Sequence, residues 1–169
     1  MKKTVWIFGL IIGGILAANM VAMVQMVYSG KFKGNDFVGY AALVVIFSII
    51  FFGIKNYKNK QNAGLISFGK AFKIGTLIAF IGSTVYVVVW LFYYYLFVPD
   101  FMDVYTSCVL RESTPADLPA KTQQMADFKE MYKNPLFVVL ITYSEVFPIG
   151  LIVALISGLI LKKKVKTIK

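Results

Sequence analysis

The sequence predicts an all-α polytopic membrane protein, with four transmembrane helices and a helical extracytoplasmic loop between helices 3 and 4. Three observations predict it. Of the 169 residues, 59% are hydrophobic and 15% are charged. A soluble fold of this size cannot cover so much apolar surface with so few charges. Four apolar runs, residues 5–27, 38–54, 74–98 and 136–161, reach or approach the length that crosses about 30 Å of hydrocarbon at about 1.5 Å per residue. Basic residues collect in alternate connections between these runs. The length suits one unit, a single membrane domain over residues 1–169.

The first run is apolar except for Asn19 and Gln25. Lys2 and Lys3 precede it, so a signal peptide is the rival reading. Apolar character continues past Ala17 and Ala18 to Val27, beyond the roughly 7–15 residues of a signal core, which favours an uncleaved span. Gly9, Gly13, Gly14, Ala17 and Ala18 offer small residues to a neighbouring helix. Residues 28–37 read as a polar turn. The second run has no charge and is the shortest of the four.

Residues 55–73 hold five lysines and no acid. Asn62, Ala63 and Gly64 read as a turn, and Ser67 as the cap of the next helix. Leu65, Phe68 and Phe72 beside Lys70 and Lys73 suggest an interfacial segment or, more simply, a snorkelling helix end. The third run carries Gly75, Ala79, Gly82 and Ser83 as a small-residue face. Its second half, from Tyr86 through Trp90 to Phe97, reads as an interfacial aromatic belt.

The loop, residues 99–135, contains two amphipathic stretches. Phe101, Met102, Tyr105 and Val109 mark the first. The second is expected to start at Thr114 as N-cap with Pro115 at the first helical position, delayed or broken by Pro119, and to end near Asn134. Both should lie on the membrane surface or over the mouth of the bundle. The fourth run has Gly150, Ala154 and Gly158 at four-residue spacing, and a lysine-rich tail over 162–169 stops transfer.

Charge sets the orientation. The N-terminus, the 55–73 connection and the tail hold twelve of the eighteen basic residues and none of the eight acids. The other two connections hold six basic residues and seven acids. Both termini are therefore expected in the cytoplasm and the long loop outside. The lysine-rich face suits anionic lipid at about 1 kcal/mol per residue, which accounts for the net charge of +10 without nucleic acid.

The stretch from Lys55, Asn56, Tyr57 and Lys58 to Ile66, Ser67, Phe68, Gly69, Lys70, Ala71, Phe72, Lys73, Ile74 and Gly75 resembles the hallmark of a bacterial four-span membrane family, domain of unknown function family 4199. The four-span layout, the outer loop and the lysine tail are similar too. The resemblance covers nearly the whole chain. It implies a bacterial inner-membrane location and carries over no activity, cofactor or catalytic residue.

Histidine is absent and Cys108 is the lone cysteine, so intrachain disulfides and His/Cys metal clusters are excluded. There is no phosphate-binding glycine loop and no zinc-protease motif. The expectation is a protein with no cofactor and no enzymatic activity. The eighth acid, Glu145, stands alone inside the fourth run. It lies ten residues from Pro135, about 15 Å below the outer boundary. Asn19, Ser48 and Trp90 are placed at similar depth and Tyr86 slightly deeper, making these five residues a candidate intramembrane polar site. Hydrocarbon disfavours the charged form of Glu145, and Pro148 frees the Ser144 carbonyl beside it.

Three readings follow. Glu145 is a protonated structural acid bonded to Asn19 or Tyr86, in a protein structural or accessory to a partner. It is a proton or ion site in a small transporter or channel subunit. Or it faces a second copy or a membrane partner. A wet, cavity-facing Glu145 supports the second reading and a dry, bonded one the first. Four spans without an inverted repeat disfavour transport by a monomer, an objection that a homo-oligomer relaxes.

Overall fold

The computed structural model describes residues 1–31 and 36–163. Part of the expected 28–37 turn, and the tail beyond Lys163, lie outside the described residues. The chain forms helices throughout: α1 (Lys2–Tyr28), α2 (Asp36–Phe47), α3 (Ile49–Gln61), α4 (Phe68–Phe97), α5 (Phe101–Glu112), α6 (Leu118–Tyr132) and α7 (Pro135–Leu161). Four helices are long and apolar enough to cross a membrane: Lys2–Tyr28, Val38–Gln61, Phe68–Phe97 and Pro135–Leu161.

The second of these is α2 and α3 joined at Ser48. The Ser48 amide is shared between the carbonyls of Val44 (3.0 Å) and Val45 (3.2 Å), and its hydroxyl donates back to Val45 at 2.6 Å. The Phe51 amide then reaches Ser48 at three-residue spacing. This tightens one turn without ending the span.

Two boundaries differ from the sequence expectation, and the start of α4 agrees with the expected Ser67 cap. α3 continues past residue 54 to Gln61. Lys55, Lys58, Lys60 and Gln61 are good helix formers, and Lys58 and Lys60 sit favourably at the C-terminal end of the dipole. The helix stops where Ala63 (φ 49°) and Gly64 (φ 75°) turn left-handed. α4 begins at Phe68, six residues before 74, because Ser67 caps it by accepting from the Lys70 amide at 3.4 Å. α6 begins at Leu118 rather than after Thr114. Thr114 closes the preceding turn instead, accepting from the Asp117 amide (3.3 Å) and donating to its carboxylate (2.7 Å). Pro119 then falls in the first turn, where its missing N–H costs nothing.

α4 is the centre of the bundle, packed on α1 along one side and α7 along another. Small residues set both distances. A Cβ at Gly13 would lie 2.5 Å from Cβ of Val85, and one at Gly150 would lie 2.8 Å from Cβ of Ala79. Only glycine allows these backbones to approach so closely. Gly14, by contrast, faces open space. One polar tie joins the same helices: Thr84 Oγ1 donates to the Phe80 carbonyl (2.7 Å), and the Tyr143 hydroxyl lies 2.5 Å from it.

The two ends differ in chemistry. At the basic end the terminal amino group donates to Gln61 Oε1 (2.5 Å), whose amide nitrogen donates to Thr4 (2.7 Å). Lys58 donates to the Leu161 carbonyl (3.0 Å), and Ile66 pairs with Lys163 through two backbone bonds of 3.0 and 2.8 Å. Residues 1–4, the 62–67 connection and residues 161–163 therefore share one end.

The opposite end is covered by α5 and α6. Tyr28 donates to Asp100 (2.7 Å), Arg111 reaches the Gly30 carbonyl (3.4 Å), and Lys129 pairs with Asp103 between the two loop helices. Met102, Cys108 and Met125 are buried beneath them. The outside of the bundle is as apolar as its inside. Leu10, Val45, Phe92, Leu96 and Ile160 are all exposed, as lipid-facing positions must be.

Candidate functional site: a cavity on Glu145

The interior is divided by depth. Towards the basic end the space between the spans is closed by Ile12, Leu16, Phe47, Ile50, Ile54, Ile74, Ile78 and Ala154, each 1% exposed or less. Towards the loop end a second cluster forms from Met20, Val24, Trp90, Tyr94, Met102 and Val138. Beside it the packing opens into a cavity of about 650 Å³, with walls from all four spans and from both loop helices.

Glu145 lines this cavity together with Asn19, Tyr86 and Trp90. Four of the five residues singled out from sequence are thus brought to one wall. Ser48 is not among them: it is absent from the lining of this cavity. It is exposed at the junction of α2 and α3, and its hydroxyl is spent on the Val45 carbonyl.

Glu145 is reached along α7 from the capped start of that helix, where Asn134 accepts from the Leu136 amide at 2.9 Å. Thr142, three residues before Glu145, and Val146, the next residue, are buried, and the Thr142 hydroxyl donates to the Val138 carbonyl (2.7 Å). Pro148 is accommodated within a continuous α7, so the Ser144 carbonyl lacks the donor that an ordinary residue would supply. Glu145 itself is accessible, because it lines the cavity. Among the described residues its carboxylate has no hydrogen-bond or ion-pair partner. The bond to Asn19 or Tyr86 that the structural-acid reading requires is not made.

Aromatic rings build much of the remaining wall. Tyr86, Trp90 and Tyr94 recur at four-residue spacing on α4, so they share one face. Trp90 meets Phe101 edge-on (centroids 5.1 Å apart) and lies 5.6 Å from Tyr94, which in turn meets Tyr132 at 5.5 Å. The expected interfacial belt is therefore divided. Phe92, Tyr95 and Phe97 face outward, while Trp90 and Tyr94 are buried.

Tyr132, at the end of α6, is a wall residue that the sequence alone does not single out. Burial holds its phenol above the ordinary range, and the neighbouring Glu145 and Tyr86 charges push the same way. Hydrogen bonds with Trp90 and Thr142 act in the opposite direction. The cavity continues from this floor to Glu112, Thr114 and Asp117 on the exposed α5–α6 connection, with Lys121 the one cation on its wall among the described residues. Its mouth is polar and its depth is aromatic, with a single carboxyl group.

Among the described residues no three His, Cys, Asp or Glu side chains converge as a metal-binding group. No curated protein and no solved structure matches the chain. One family does match, over residues 7–163, under the description "Protein of unknown function (DUF4199)". With nearly its whole length covered and its four apolar spans in place, the chain belongs to that family of uncharacterised membrane proteins.

Proposed function

We propose that this integral membrane protein is a non-enzymatic accessory protein of the bacterial inner membrane, built around a cation-accepting site at Glu145 that opens to the extracytoplasmic side. The observation that carries this is the unpartnered Glu145 carboxyl on the wall of a cavity whose far end is the exposed α5–α6 connection. A lone acid with no protein partner, held at membrane depth, is set to exchange a proton or a cation. The orientation rests on the basic bias of the end that unites residues 1–4, 62–67 and 161–163. That end suits anionic lipid, and the apolar flanks leave room for a second copy or a membrane partner.

A second reading is a transporter or channel subunit. The tightened turn at Ser48 and the proline at 148 favour it, since both depart from regular helix hydrogen bonding within a span. The closed packing on the basic side of Glu145 weighs against conduction by this conformation alone.

The test is carboxyl labelling in sealed proteoliposomes sorted for the loop-out orientation. A water-soluble carbodiimide with an amine nucleophile, added outside, is expected to modify Glu145, as read by peptide mass spectrometry. If Glu145 reacts only with a membrane-soluble carbodiimide, the site is dry and the reading fails. Dissipation of an imposed pH gradient by the wild type, and not by Glu145→Gln, would move the assignment to the transporter subunit.

A further inference from the structure

The same cavity limits what kind of cation it takes. Building on the reading of Glu145 as an outward-open site, we infer that the ligand is an amphipathic organic ammonium ion, its charged head at Glu145 and its apolar part along the methionine- and aromatic-lined wall. A divalent inorganic cation is a poor match. Calcium takes about 6–8 oxygen ligands and magnesium a near-ideal octahedron, whereas the depth of this cavity offers one carboxylate. An alkylammonium ion needs less oxygen and more ring surface. Its charge is satisfied by a single carboxylate together with aromatic faces within about 6 Å.

Tyr86, Trp90 and Tyr132 line the cavity together with Glu145 and are the rings available to such a cation. Size agrees: about 650 Å³ lies within the roughly 300–1,000 Å³ of small-molecule sites. Met20, Met23, Met102 and Met125 line the remainder. Thioether side chains adapt to varied apolar shapes, as a site for a class of amines requires. The mouth favours the same charge, with Glu112 and Asp117 against Lys121.

The molecule contains its own reporter. It has two tryptophans, Trp6 and Trp90. Trp6 is 57% exposed near the basic end, and Trp90 lines the cavity. In a Trp6→Phe protein in lipid nanodiscs, benzyltrimethylammonium is expected to change Trp90 fluorescence saturably and to protect Glu145 from the water-soluble carbodiimide. Neopentylbenzene, its uncharged isostere, should do neither at equal concentration.

Glu145→Gln should weaken ammonium binding at least about tenfold, as expected when one partner of a charge pair at a binding site is neutralised. Glu145→Asp, which keeps the charge, should retain binding and serves as the folding control. Tyr132→Leu should weaken the ammonium ion and leave any binding of neopentylbenzene unchanged. Equal binding of cation and isostere would overturn the inference, reducing the cavity to an apolar pocket. Labelling of Glu145 with neither protection nor a fluorescence change would overturn the ligand class while leaving the open site intact. Absence of labelling would remove the underlying reading instead.

Discussion

At the scale of single residues, Glu145 and Tyr132 are the informative pair. Glu145 makes no hydrogen bond to the protein among the described residues, so removing its carboxyl leaves no protein donor unsatisfied. Glu145→Leu is expected to melt no lower than the wild type in detergent while abolishing carbodiimide labelling. A clear fall in melting temperature would show that the carboxyl has a protein partner. Tyr132, outside the spans, carries a pH dependence. Its phenol is raised above the unfolded value of about 10 by burial and by the facing Glu145 and Tyr86. The folded state therefore holds a proton that the unfolded chain releases. The contribution is fully present below about pH 10 and is lost as the pH climbs towards the folded value. Melting curves from pH 8 to 11 should show a steeper alkaline loss of stability for the wild type than for Tyr132→Phe. Identical slopes would remove Tyr132 from the cavity floor. Glu145 was legible in the sequence because a charge in an apolar run has no other explanation. Tyr132 was not, because an aromatic residue near a helix end has many.

At the scale of helices, α4 is held by contacts that glycine permits. Gly13→Ala would drive a methyl group to 2.5 Å from Cβ of Val85, an atom that cannot swing aside. Overpacking of this kind costs about 1–3 kcal/mol. Gly14→Ala, one residue along, meets open space and should be neutral or slightly stabilising through helix propensity. Unfolding in mixed micelles compares the two, and an equal effect would mean that α1 does not use this face. Spacing in the sequence marked both glycines alike. Only the packing partner separates them, because a four-residue ladder names a face without saying which helix lies on it. The belt on α4 follows the same logic. Composition announced seven aromatic residues, but only those at 86 and 90 line the cavity, while Tyr94 packs against Trp90 and against Tyr132 of α6. Ser48 shows the converse: counting residues along a span does not fix the helix face, and its hydroxyl bonds to its own helix outside the site. Thr84 and Tyr143 went unnoticed because single hydroxyls are common in spans. Tyr143→Phe should cost roughly 0.6 kcal/mol, as interhelical bonds in lipid average.

At the scale of the whole molecule, two ends of opposite character define the protein. The bonds from Met1 to Gln61, Lys58 to Leu161 and Ile66 to Lys163 gather the lysines at one end. The acids gather at the other, around α5 and α6. This polarity was the most legible property of the sequence, because it needs only the alternation of spans and the count of charges in each connection. It makes the orientation directly testable, though not through the native thiol. Cys108 is 5% exposed, with its sulfur against the Val27 carbonyl at 3.7 Å, so an impermeant reagent would miss it whichever way the protein pointed. In a Cys108→Ser background, Ala116→Cys places a thiol on the exposed α5–α6 connection and Asn59→Cys places one on the exposed end of α3. Intact spheroplasts treated with an impermeant maleimide should label the first and spare the second. Lysis should then expose the second. The reverse pattern would put the lysine-rich end outside. It would also turn the mouth of the Glu145 cavity towards the cytoplasm, so that the cation it accepts would come from within the cell.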